Sequence, residues 1–97
     1  MAIVGDAESR TVFIDGAVLE PDASQRIVNH SPDGFAWGYC GSGPAQLALA
    51  ILLHLKGEDY ATEHYQAFKR EVISTFPMHE DFTLQHAEID KWIEAHK

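Results

Sequence analysis

Near the start of the chain, apolar residues come in short runs parted by turn-forming residues. Residues 1–8 begin apolar and turn polar at Gly5-Asp6-Ala7-Glu8. Thr11-Val12-Phe13-Ile14 and Ala17-Val18-Leu19 follow, with Asp15-Gly16 between them. An Asp-Gly pair between two such runs predicts a two-residue hairpin, because that turn needs positive φ at both central residues. A hairpin alone is marginal in water, so its apolar face must rest on another element. Residues 20–24 read as loop, residues 25–30 as a short third strand, and Ser31-Pro32-Asp33-Gly34 as a turn with Pro second and Gly fourth. Phe35-Ala36-Trp37 then reads as a brief extended segment.

The rhythm changes after Gly43. Over residues 44–56, only Gln46, His54 and Lys56 interrupt an apolar run of Leu, Ile and Ala. A helix without a polar face is central and packs on more than one side. Gly57 suits its C-terminal end as a left-handed cap. A second helix is predicted over residues 60–76, with Asp59 as N-cap. Tyr65, Phe68, Val72 and Phe76 recur at helical spacing with Ile73 beside them, and Pro77 is the stop. Met78-His79-Glu80-Asp81 is a polar connection, and Phe82-Thr83-Leu84 fits either a strand or the lead-in to a helix. A last helix over residues 85–96 turns Ile89, Trp92 and Ile93 inward. The pattern predicts a single α+β domain over residues 1–97. A small N-terminal antiparallel hairpin or sheet is followed by three helices, the first hydrophobic and central.

The loop ahead of the apolar helix, Trp37-Gly38-Tyr39-Cys40-Gly41-Ser42-Gly43-Pro44, is the strongest candidate for chemistry. It fits neither G-x-G-x-x-G nor G-x-x-x-x-G-K-[ST], and Ser42 lacks the flanking glycines of G-x-S-x-G. What remains is general physics: free N–H groups and the positive dipole end of a helix attract anions. Gly41, Ser42 and Gly43 are therefore candidate ligand-binding residues, with Trp37 and Tyr39 as flat surfaces for a ring. In the competing reading the glycines let the loop pass close to the core, and Ser42 or Gly43 caps the helix.

His30, His54, His64, His79, His86 and His96 form no H-x-x-x-H pair and no zinc-type spacing with Cys40. The carboxylates show no acid–base pair, and the acids at residues 58, 59 and 63 suit a helix start. The expectation is a non-enzymatic protein without cofactor or metal.

Charge narrows the partners. Fifteen Asp and Glu against seven Lys and Arg leave a net charge of −8, spread over both halves of the chain. With no basic stripe, direct binding to a nucleic-acid backbone is not expected, and a basic protein partner is. The single Cys40 allows no internal disulfide and fits a reducing cytoplasm. Residues 1–6 lack the pattern of a signal peptide, and the longest apolar run falls well short of the ~20 residues of a membrane span.

His30-Ser31-Pro32, Gly34-Phe35, Trp37-Gly38-Tyr39 and Gly41-Ser42-Gly43-Pro44-Ala45-Gln46-Leu47-Ala48-Leu49-Ala50 resemble the core motif of a family of small bacterial, plasmid and phage proteins, a domain of unknown function. Tyr65, Phe68, Ile89 and Trp92 extend the likeness over most of the chain. Cys40 stands where another small, glycine-like residue is expected. The resemblance implies no activity, cofactor or catalytic residue. It does imply a setting, since small proteins on mobile elements are often counter-defence or host-takeover factors. Three functions stay open. The first is an inhibitor that binds a host defence protein, with its acidic shell as a nucleic-acid mimic. The second is a binder or sponge of a phosphate-bearing nucleotide at Gly41-Ser42-Gly43. The third is an oligomeric housekeeping protein whose apolar helix is completed by a second subunit.

Overall fold

The computed structural model describes residues 2–97; Met1, counted in the single-domain prediction, lies outside them. Three strands open the chain: β1 (Ala2–Asp6), β2 (Thr11–Ile14) and β3 (Ala17–Val18). Asp15 and Gly16 both take positive φ, 51° and 86°, so the β2–β3 turn has the predicted form. The fourth strand, β4 (Phe82–Gln85), comes from the far end of the chain and resolves the ambiguity at residues 82–84. It pairs antiparallel with β1 through Ile3 and Leu84, giving the order β3-β2-β1-β4.

Alternation sorts these strands into two faces. Ile3, Val12, Ile14, Phe82 and Leu84 point inward and are buried. Val4, Phe13, Val18 and Thr83 point the other way. The register sets them side by side across all four strands, Val4 against Phe13 and Thr83, and Phe13 against Val18.

The predicted third strand at residues 25–30 is not there. A short helix, α1 (Asp22–Ile27), takes its place and also absorbs part of the predicted loop at residues 20–24. Pro21 sits just before it in the right-handed region, φ −76°, where its ring holds it, and Asp22 and Arg26 suit the two helix ends. The Ser31–Gly34 turn closes as expected, with Gly34 N–H donating to Ser31 O at 3.3 Å.

The central helix, α2 (Ser42–Lys56), buries ten consecutive residues from Gly43 to Leu52. They share one core with the inner face of the sheet, with Tyr65, Phe68 and Ile73, and with Ile89. Gly57 then reverses the chain at φ 90°, ψ 177°, a positive-φ conformation rather than the predicted left-handed cap, and its N–H still reaches Leu53 O. The reversal lets α3 (Glu58–Glu71) begin two residues early, with Gly57 and not Asp59 as its N-cap. The helix also stops early. Val72 leaves the helical region, a 3-10 turn covers Ile73–Thr75, and Phe76 is extended ahead of Pro77. The last helix, α4 (His86–Ala95), starts from Gln85 through a reciprocal capping box with Glu88. Ile89 is buried in the core, and Trp92 and Ile93 pack against it.

Among the described residues, no helix is long and apolar enough to cross a membrane.

Candidate functional site

The glycine loop is held by its own chain. Trp37 is fully buried. Its indole Nε1 donates to Glu80 O at 3.0 Å, and its ring meets Phe82 edge-on with centroids 4.8 Å apart. The Arg10 guanidinium lies 4.8 Å from the Trp37 ring centroid, a cation–π distance. Trp37 is thus a core side chain rather than an open stacking surface. Gly38 has φ 86°, and a Cβ there would run into the Met78 backbone and stand 2.7 Å from Phe76 O. Only glycine allows that approach.

Tyr39 points outward, 41% exposed, and lies over Gly41. Gly41 is the N-cap of α2 and gives it no side-chain cap; Ser42, expected as a cap, is the exposed first helical residue. Gly43 is buried beneath Ala36, where an added Cβ would sit 2.6 Å from the Ala36 Cβ. Of the five candidate ligand residues, then, Trp37 and Gly43 go inward, while Tyr39, Gly41 and Ser42 reach the surface. Cys40 is exposed.

Composition and spacing did not single out the residue that organises this region, Gln46. It is fully buried on α2 and uses its whole amide. Oε1 accepts the backbone N–H of His30 at 2.8 Å and of Ser31 at 3.0 Å. Nε2 donates to Ser24 Oγ at 2.9 Å and to Val28 O at 3.1 Å. Ser24 Oγ donates onward to Pro21 O at 2.8 Å, Gln25 Nε2 donates to Ser31 O at 2.8 Å, and His30 Nε2 shares a hydrogen bond with the Tyr65 hydroxyl at 2.7 Å. One side chain therefore ties α1, the following loop and α2 together. A signal existed: a lone amide inside an otherwise apolar helix has to find partners, because buried polar groups are hydrogen-bonded.

The remaining polar groups are scattered. Among the described residues, no group of three or more His, Cys, Asp or Glu is placed to hold a metal ion. Arg10 has φ 60°, and its Nη1 is buried without a hydrogen-bond partner. On α3, burial and then the charge of Glu63 push the Tyr60 hydroxyl above its usual range.

Openness lies elsewhere. Across the outer face of the sheet, Val4 is 39% and Val18 50% exposed, with Phe13 partly buried between them. At the strand ends stand Asp6, Glu8, Asp15, Glu20, Glu80 and Asp81. Arg10, stacked on Trp37, is the one Lys or Arg between residues 1 and 25, and the first lysine of the chain is Lys56.

A four-stranded antiparallel sheet, covered on one face by helices and open on the other, makes this a small α+β domain with an apolar, acid-edged surface. The chain belongs to the DUF6166 family, a family of unknown function, whose model matches residues 4–95. No curated protein and no solved structure matches the chain.

Proposed function

We propose that the chain is a non-enzymatic module that binds a basic partner protein through the outer face of its sheet. The observation that carries this reading is the row Val18-Phe13-Val4-Thr83, running across all four strands with acids at the strand ends. Fully burying an exposed large apolar side chain contributes ~1.5–3 kcal/mol, and Val4, Phe13 and Val18, already partly buried, contribute the remaining fraction of that. Three in one row supply the apolar centre that protein interfaces need, with a charged border to orient the partner. The net charge of −8 favours a basic surface and speeds encounter with it, the behaviour of a nucleic-acid mimic. The likeness to mobile-element proteins suggests the setting, an inhibitor of a host defence protein.

The other two readings draw less support. A nucleotide at Gly41-Ser42-Gly43 has the exposed start of α2 to bind, but Trp37 is already committed to Glu80 and Phe82. The need for a second subunit came from the all-apolar helix, and the chain itself covers α2.

The test is affinity capture from the protein's own host with wild type and Phe13→Asp side by side, washed at rising salt. The expected result is a partner that the wild type retains, that Phe13→Asp loses, and that salt elutes. A partner held equally by both proteins would place the interface elsewhere, and binding unchanged from ~50 mM to ~500 mM salt would remove the mimicry.

A further inference from the structure

A second surface lies on the helical side, where the end of α3 faces α4. Phe68, Val72, Phe76, Leu84, Ile89 and Trp92 line a groove of about 230 Å³, with Glu71 and Glu88 as its two charged residues. Phe68, Leu84 and Ile89 are buried and form the floor, while Val72, Phe76 and Trp92 are partly exposed.

The groove is preformed because Trp92 is fixed from three directions. Its Nε1 donates to Glu71 Oε1 at 3.0 Å, its ring stands edge-on to Phe68 at 4.9 Å, and its other side stacks on His96 at 3.8 Å and 11°. His96 is held in turn, with Nδ1 on the Trp92 carbonyl at 2.7 Å and Nε2 3.2 Å from Glu71 Oε1. A wall locked in this way loses little conformational freedom when something docks against it.

Size and charge specify the occupant. Pockets for drug-sized ligands begin near ~300 Å³, so this groove suits a single side chain better than a whole small molecule. No basic residue lines it, and Glu71 and Glu88 are both exposed. The bonds that occupy them, from Trp92 and His96 to Glu71 and from the Gln85 N–H to Glu88, all fall on Oε1, so Oε2 of each stays outside them. We infer that this groove is an anchor pocket for one apolar side chain of a protein partner, and that a neighbouring Lys or Arg of that partner pairs with Glu71 or Glu88. The inference rests on the reading of a basic protein partner and adds a contact on the side of the molecule away from the outer face of the sheet.

Two capped tetrapeptides test it, Ala-Phe-Arg-Ala and Ala-Phe-Glu-Ala, titrated into isotopically labelled protein while the two tryptophan indole N–H resonances are followed. The expected result is movement of the Trp92 resonance with Trp37 still, and binding of the Arg peptide at least about fivefold tighter than the Glu peptide. Glu88→Gln should narrow that preference. Thr75→Trp, which fills the groove from an exposed position, should abolish the response, with an unmoved Trp37 resonance as proof of folding. A silent Trp92, or equal response to both peptides, overturns the inference. Phe13→Asp separates it from the sheet reading: the peptide response should survive that change even though partner capture does not. A groove that fails while Phe13→Asp still loses the captured partner sinks the pocket alone.

Discussion

At Gln46, all four hydrogen-bonding positions of a buried amide are taken by the chain itself; across the sheet, Val4 and Val18 stand open to solvent beside a partly buried Phe13. The two regions invert what their sequences suggest. The loop rich in glycine, serine and aromatics has the look of a ligand site, yet Gly38 meets the Met78 backbone, Gly43 meets Ala36, and its tryptophan is core. The strands have the look of scaffold, yet they carry the open apolar surface. Glycine clusters mark close approach, and whether the approaching group is a ligand or the protein's own backbone depends on the fold.

The sharpest way to break this comparison is Gln46→Leu. It keeps the size and removes the amide, leaving the His30 and Ser31 N–H groups and the Val28 carbonyl without their partner. These three groups are only part-buried, so each falls at or below the lower end of the ~1–3 kcal/mol that a buried unpaired group costs, and the loss should come to about 2–3 kcal/mol, a large part of the stability of a domain this size. Urea unfolding measures it. A loss under about 1 kcal/mol would mean that water replaces the amide and that the network does not fasten the loop.

Gly38→Ala comes next. The methyl group would have to enter the Met78 backbone from a residue at φ 86°, so strain and overlap add to about 2–3 kcal/mol. Unchanged thermal stability would show that the 76–78 segment can move aside, and the loop would then be less closed than its geometry indicates.

How much of this was legible in the sequence follows from how local each feature is. The β2–β3 hairpin was, because Asp15-Gly16 dictates its turn within two residues. The central helix was, because an apolar run from Leu47 to Leu53 needs no partner to be recognised. Helix α1 was not. Asp22 to Ser24 read as loop beside Pro21 and Gln25 to Ile27 as the start of a strand, and what holds them helical is Pro21 on one side and the contact of Ser24 with Gln46, twenty-two positions away. The ends of α3 were missed by a few residues, because a single glycine reversed the chain at one end and Val72 left the helix at the other. At the candidate site, the sequence marks Gly38 and Gly43 as special but does not say what fills the space beside them; Met78 and Ala36 do so only once the chain is folded. The outer face had the same limit. Alternation sorts Val4 from Ile3, but nothing along the chain says which face of the sheet the helices cover.

Phe13→Asp turns the comparison toward the open region. Phe13 is a partly buried member of the outer row with cross-strand partners Val4 and Val18, so stability should fall by about 1–2 kcal/mol, the scale of two such pairs. Partner affinity, in contrast, should fall by 2 kcal/mol or more, about thirtyfold, if Phe13 is the centre of the interface. Calorimetry with the captured partner reads both numbers on one preparation. A stability loss as large as that of Gln46→Leu would show that the outer face is structural after all.

The smallest effect belongs to Ser42, and it probes the closed region from outside. Ser42 is exposed at the first position of α2 and makes no capping bond, so Ser42→Ala should change stability by less than ~0.5 kcal/mol. Ser42→Asp places a negative charge at the positive end of a fifteen-residue helix that has no acid in its first turn, and should stabilise by ~0.3–1 kcal/mol. The same substitution repels any anion held there. Thermal shifts of wild type and Ser42→Asp with a panel of nucleotides therefore weigh the ligand reading directly. Bound nucleotide at ~100 times its dissociation constant would add ~2.7 kcal/mol. A shift of that size in the wild type that vanishes in Ser42→Asp would return the loop to the list of binding sites; flat curves for both proteins, with Ser42→Asp the more stable, leave it as the place where the chain fastens its central helix.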